Sequence, residues 1–165
     1  MLPEPLMRFP YSPSNESLDQ ICVYPNLLLD PPYQRGSVWG PERQRNLWRS
    51  LLTGLPVGVI MLSVRDDEEI TLAVVDGKQR IEAVLAFFNG SLSLPSVWML
   101  PEAVIGERSL DRMVTWNDLT DTGKRIAQRP MVATFRVNGY SEEDERKLFD
   151  MINFGGLAQG ESDFD

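Results

Sequence analysis

The stretch from Val74 to Gly90 reads VVDGKQRIEAVLAFFNG. An acid, a glycine, an amide and two cations (Asp76, Gly77, Lys78, Gln79 and Arg80) stand where an apolar run gives way to an amphipathic repeat. A strand that ends in glycine and feeds a helix builds an anion site from backbone alone. The opening amides of the helix have no acceptor inside it, and its dipole adds partial positive charge there. Lys78 and Arg80 would supply full charge and forked donors for phosphate, and Gln79 both a donor and an acceptor. Three tasks are open to Asp76: holding Mg²⁺ against phosphate oxygens, orienting Arg80, or acting as a general base. Together the five residues suit a phosphate ester. The same letters also suit a plain turn followed by a solvated first helical turn.

Two further clusters bear on the choice. PPYQRGSVW, residues 31–39, repeats the Gln-Arg pair in a proline-stiffened stretch, with Tyr33, Gln34 and Arg35 together and Trp39 downstream. A forked cation opposite Arg80, with an aromatic ring beside it, would suit a nucleotide base and its phosphates. Trp39 is expected in the core, while Arg35 either faces that pocket or pairs with a carboxylate. FDMINFGG then brings Asn153, Gly155 and Gly156 just past a helix, where a glycine-rich C-cap without a ligand is the simpler account.

The chemistry is bounded by what is missing. Among 165 residues there is no histidine and one cysteine, Cys22. That removes Ser-His-Asp and Cys-His catalysis, histidine-based nuclease sites, thiolate zinc clusters and internal disulfides. The net charge of −8 argues against a broad nucleic-acid surface, leaving only local DNA contact. A hydrophobic content of 42% with 24% charged residues is that of a globular domain, and no apolar run has the length of a membrane span. Lacking the charged start and apolar stretch of a signal peptide, the chain is expected to be cytoplasmic.

The elements that must carry these clusters can be read in order. Residues 1–17 read as a flexible arm, 18–156 as one domain, and 157–165 as a tail. SLDQICVYPNLLLD predicts a short helix or turn and a strand at Asn26–Asp30. PERQRNLWRSLLTGLP predicts a helix from Pro41 with Leu47, Leu51 and Leu55 on one face, stopped by Gly54 and Pro56. VGVIMLSV and ITLAVV read as buried strands around an acidic turn. A helix from about Arg80 to Asn89 would bury Ile81, Val84, Leu85 and Phe88. Short strands are expected near Ser96–Leu100 and Met113–Trp116, a helix within NDLTDTGKRIAQRP, a strand at MVATFRV and a helix at SEEDERKLFDMIN capped by Ser141. The class is α+β, one small mixed sheet with helices packed on it.

Three separated motifs in this order, YQR with a following Trp, a (V/I)DGxQR turn opening a helix, and LFxxINxGG, resemble the DGQQR-motif domains that form the N-terminal half of GmrSD-type restriction enzymes, grouped with the ParB/sulfiredoxin superfamily. The resemblance spans about Leu27–Gly156 and is weakest over 91–118. It implies a ParB-like fold and a nucleotide-binding, often nucleotide-hydrolysing, domain of phage defence, with an NTP as substrate or ligand, Mg²⁺ as cofactor and a nuclease subunit or other defence protein as partner. By position it assigns catalysis to Asp76, Gln79 and Arg80. It assigns nucleotide contact to Tyr33, Gln34, Arg35, Gly77, Lys78, Asn153, Gly155 and Gly156, with Asp76 toward the metal. Lys78 departs from the motif, standing where a first Gln is usual; it can meet phosphate but cannot accept a hydrogen bond. The alternatives are a non-catalytic regulatory module, a ParB-like phosphotransferase, and a DNA-binding or nicking protein.

Overall fold

The computed structural model describes residues 12–24, 26–34, 36, 39–66 and 70–154. In chain order the elements are β1 (Ser12–Ser17), α1 (Leu18–Cys22), β2 (Leu27–Leu28), α2 (Pro41–Leu52), β3 (Val59–Asp66), β4 (Ile70–Asp76), α3 (Lys78–Phe88), β5 (Leu94–Pro95), β6 (Met113–Val114), α4 (Asp121–Gln128), β7 (Met131–Asn138) and α5 (Glu142–Phe154). Single 3₁₀ turns lie at Ser96–Trp98, Pro101–Ala103 and Trp116–Asp118. The class is α+β, as expected. Five strands make one mixed sheet in the order β1-β7-β3-β4-β2, and β5 pairs with β6 separately. β3 runs antiparallel to β4 and parallel to β7.

The continuous apolar runs of β3 and β4 follow from their central place in this sheet. Successive side chains point to opposite faces, so a strand covered on both sides has no polar alternation. Ile60, Leu62, Leu72 and Val74 join the main core with Trp48 and Leu51 of α2 and Ile81, Val84 and Phe87 of α3. Met61 and Val75 turn the other way, into a smaller cluster with Val137 and with Leu148 and Phe149 of α5. Helices α2 and α3 thus cover one face and α5 the other. Trp48 is fully buried; its indole N–H donates to the Ala83 carbonyl at 3.0 Å, and its ring centroid lies 4.7 Å from that of Phe87. A tryptophan can be taken wholly out of water once that N–H has an acceptor.

Several expectations need correction. Residues 1–11 lie outside the described residues, but 12–17 of the expected arm form β1, antiparallel to β7. SPSNES has no apolar alternation because the strand is tied by a buried acid instead. Glu16 accepts from the Thr134 hydroxyl at 2.7 Å and from the Arg136 Nε and Nη2 at 3.1 and 2.6 Å; the Tyr24 hydroxyl donates to it at 3.0 Å. Leu55 does not extend the α2 face. The helix ends at Leu52, Gly54 takes a φ of 74°, and the turned chain leaves Leu55 exposed. α3 begins two residues early, at Lys78, and buries Phe87 fully, leaving Leu85 and Phe88 half-buried. The first short strand falls at Leu94–Pro95; Ser96 already begins a 3₁₀ turn. Ser141 caps α5 as expected, accepting from the Asp144 N–H at 3.3 Å. Among the described residues no helix is long and apolar enough to cross a membrane.

Candidate functional site

The turn between β4 and α3 is set by Gly77, whose φ of 103° and ψ of 6° are open to glycine and strained for other residues. The same position lies against β3: a Cβ there would stand 3.0 Å from Cγ1 of Ile60. The turn lets Asp76, the last residue of β4, meet Arg80 in the first turn of α3, Nη2 to Oδ2 at 2.9 Å. The other fork of Arg80 donates to the Val59 carbonyl at the start of β3. Gly58 makes room for it; a Cβ at Gly58 would come within 3.1 Å of Arg80 Nη1. Asp76 and Arg80 are both partly exposed.

Lys78 is placed differently from a phosphate-facing cation. Its side chain is only 5% exposed, and its ammonium pairs with the carboxylate of Asp30, itself 77% exposed, with Glu82 Oε1 at 3.9 Å. A charge this buried needs an opposite charge beside it. The loop before the prolines provides one.

The first motif comes to the same turn. Gln34 donates from Nε2 to the Val74 carbonyl and, at 3.0 Å, to the Val75 carbonyl, which are the last backbone acceptors before Asp76. In return, Gln79 Oε1 accepts from the Trp39 N–H at 3.0 Å. Two amide side chains, one in each motif, therefore fasten Gln34 to the end of β4 and Trp39 to the first turn of α3. Trp39 is half-buried, with the Arg43 guanidinium 4.6 Å from its ring. Tyr33 packs 5.7 Å from Phe149 and donates its hydroxyl to Glu145 Oε2 at 3.1 Å. Burial first, then the neighbouring Glu145 carboxylate, pushes that phenol well above its ordinary range.

Gln34, Asp76, Gly77, Lys78, Gln79 and Arg80 are thus brought together, while the Tyr33 side chain is directed to α5. Asn153 is exposed and donates within its own helix, to the Phe149 carbonyl at 2.8 Å. Arg35, Gly155 and Gly156 lie outside the described residues. Three participants were not singled out from the sequence: Asp30, Arg65 and Glu145. Asp30 stands directly before the two prolines, and an acid beside a motif with a surplus cation was a usable signal. Arg65 and Glu145 sit on separate elements 80 residues apart, and nothing in the sequence couples them. Among the described residues no three acidic or thiol side chains converge on one point. What the turn offers a hard cation is the Asp76 carboxylate, so such an ion would draw its other ligands from phosphate oxygens and water.

The family model described as GmrSD restriction endonuclease, N-terminal domain, matches residues 16–164. No curated protein and no solved structure matches the chain.

Proposed function

Since the chain belongs to the GmrSD restriction endonuclease N-terminal domain family, we propose that it binds a nucleoside triphosphate at the turn between β4 and α3, and that it hydrolyses or senses that nucleotide on behalf of a nuclease partner in phage defence. The observation that carries this reading is the pair of amide braces, Gln34 to the Val74 and Val75 carbonyls and Gln79 to the Trp39 N–H. They join two motifs about forty residues apart into one rim around a helix N-terminus, the feature that backbone chemistry prepares for phosphate. On this rim Arg80 and the opening turn of α3 meet phosphates, and Gln34 bounds the site from the side of β4. Asp76 faces the metal or the attacking water. Mg²⁺, when bound, would neutralise phosphate charge and fix the chain of phosphates relative to Asp76.

One observation favours sensing over turnover. The Lys78 ammonium is engaged by Asp30, and both forks of Arg80 are engaged by Asp76 and Val59. A hydrolytic site needs cations directed at charge that develops in the transition state. The test is calorimetric titration of the chain with each of the four NTPs and Mg²⁺, followed by a phosphate-release assay, for the wild type and Asp76→Ala. Binding that Asp76→Ala weakens is the expected result. Binding with no phosphate release selects sensing. An Asp76→Ala variant indistinguishable from wild type in both assays would remove Asp76 from the site.

A further inference from the structure

On the sheet face opposite α2 and α3, one carboxylate is wholly buried. Glu145, in the second turn of α5, is 0% exposed, yet it lies in no stretch that the family motifs mark. Its Oε1 accepts from Arg65 Nε at 2.9 Å, and its Oε2 accepts from Arg65 Nη2 and, at 3.1 Å, from the Tyr33 hydroxyl. Arg65 projects from β3 and is itself largely buried, while Glu142 Oε2 lies 3.9 Å from its other fork. A planar guanidinium that grips both carboxylate oxygens leaves that group little rotational freedom. The third acceptor direction is therefore aimed at a fixed point, and Tyr33 occupies it.

Tyr33 immediately precedes Gln34, whose amide grips the Val74 and Val75 carbonyls. The loop is thus fastened twice within two residues, once to the end of β4 and once, through Glu145, to α5 and β3. We infer that Glu145, oriented by Arg65, is a positioning residue that fixes the Tyr33–Gln34 loop against the β4–α3 turn. On this account the Tyr33 hydroxyl anchors the loop and does not touch a nucleotide. The loop's benefit to nucleotide binding rests on the function proposed above; the anchoring itself does not.

The full chain carrying Tyr33→Phe tests this, because the ring and its packing on Phe149 stay while the hydroxyl goes. The Gln34 N–H donates to the Pro31 carbonyl at 3.0 Å and reports the loop. Its hydrogen-exchange rate is expected to rise about tenfold, the equivalent of one lost hydrogen bond to a charged acceptor. The dissociation constant for NTP should rise by about the same factor. Glu145→Gln should act in the same direction, but it disturbs the Arg65 fork and can unfold α5. Ser141→Ala is the control: it removes the α5 cap without touching the latch, and should lower stability while leaving Gln34 exchange within about twofold of wild type. Unchanged Gln34 exchange in Tyr33→Phe, or an equal rise in Ser141→Ala, overturns the inference. A wild-type chain that binds none of the four NTPs would overturn the nucleotide reading alone, since the exchange measurements still decide the latch.

Discussion

Replacing Gly77 by Ala separates the geometry of the turn from its charges. The native φ of 103° and ψ of 6° lie outside the left-handed well that L-residues enter most readily. Holding an alanine there costs about 1–3 kcal/mol. The new methyl would also stand 3.0 Å from Cγ1, 3.3 Å from Cγ2 and 3.4 Å from Cα of Ile60. Ile60 is 2% exposed in a strand paired on both sides, so it cannot swing clear, and overpacking of this kind adds about 1–3 kcal/mol. The sum, roughly 2–6 kcal/mol, is a large share of the stability of an ordinary domain. It corresponds to a fall in Tm of roughly 5–20 °C for a chain of this size. Gly54→Ala isolates the first contribution: φ is 74° there and nothing lies within 4 Å of the added methyl. That variant should lose only about 1–2 kcal/mol. Urea unfolding of the three proteins, followed by circular dichroism with slopes checked for equality, gives both numbers. If Gly77→Ala loses no more than Gly54→Ala, Ile60 does not press on the turn and the reasoning fails.

Other expectations test different parts of the molecule. Gly123→Ala would set a methyl 2.1 Å from the Ala103 carbonyl oxygen, which also accepts from the Thr120 N–H, so α4 must shift; a loss of about 3 kcal/mol or more, with faster exchange of the Thr120 amide, should follow. Burial opposes ionisation of Glu16, but hydrogen bonds from Arg136, Thr134 and Tyr24 outweigh it and hold its carboxyl below the ordinary 4.5. The unfolded chain then takes up the proton more readily, so this contribution is whole above pH 4.5 and fades as pH falls through the folded-state value. Urea midpoints should therefore decline for wild type between about pH 5 and pH 3, and decline less for Glu16→Gln. Burial, with Asp19 nearby, pushes the Cys22 thiol up to about 12. At pH 8 about one thiol in ten thousand is then ionised, so iodoacetamide should label Cys22 slowly until denaturant is added.

The fold was legible where burial wrote a period or a run. β3, β4, α2 and α3 were each readable from apolar spacing, because each buries a face or both faces. β1 was not, because its hold on β7 comes through Glu16, and a lone buried acid leaves no period in SPSNES. Leu55 misled for a local reason: the 3.6-residue spacing continued one step past the point where Gly54 bends the chain away. At the site, the strand-to-helix turn and its glycine were legible, as was the approach of Gln34 to that turn. The partners of the charges were not. That Lys78 belongs with Asp30, and Tyr33 with Glu145, depends on how β2, β4 and α5 stack, and that information is spread over the whole chain.

The residue types of the turn make better sense when each is asked what it binds inside the protein. Gln34 must donate to two backbone carbonyls at the end of β4, and a carboxylate in its place would be repelled by both. Gln79 must accept from a backbone N–H, which a lysine or arginine there could not do. Only a neutral amide serves either position without leaving a charge at the brace, and the chain uses one at each. Arg80 is bound on one fork by Asp76 and on the other by Val59, and Lys78 is bound by Asp30. The cluster that looks from sequence like an open hand for phosphate is therefore a network already closed on itself. A polyphosphate entering here would have to compete with Asp76 for Arg80 or with Asp30 for Lys78. Because Asp30 is the exposed member of its pair, the second exchange is the cheaper one. Asp30→Asn should accordingly tighten NTP binding by several-fold, since it leaves the buried Lys78 ammonium short of the carboxylate that a phosphate would replace. The same calorimetric titration reads it, and weaker binding in Asp30→Asn would mean that Lys78 is a structural cation that never meets the nucleotide.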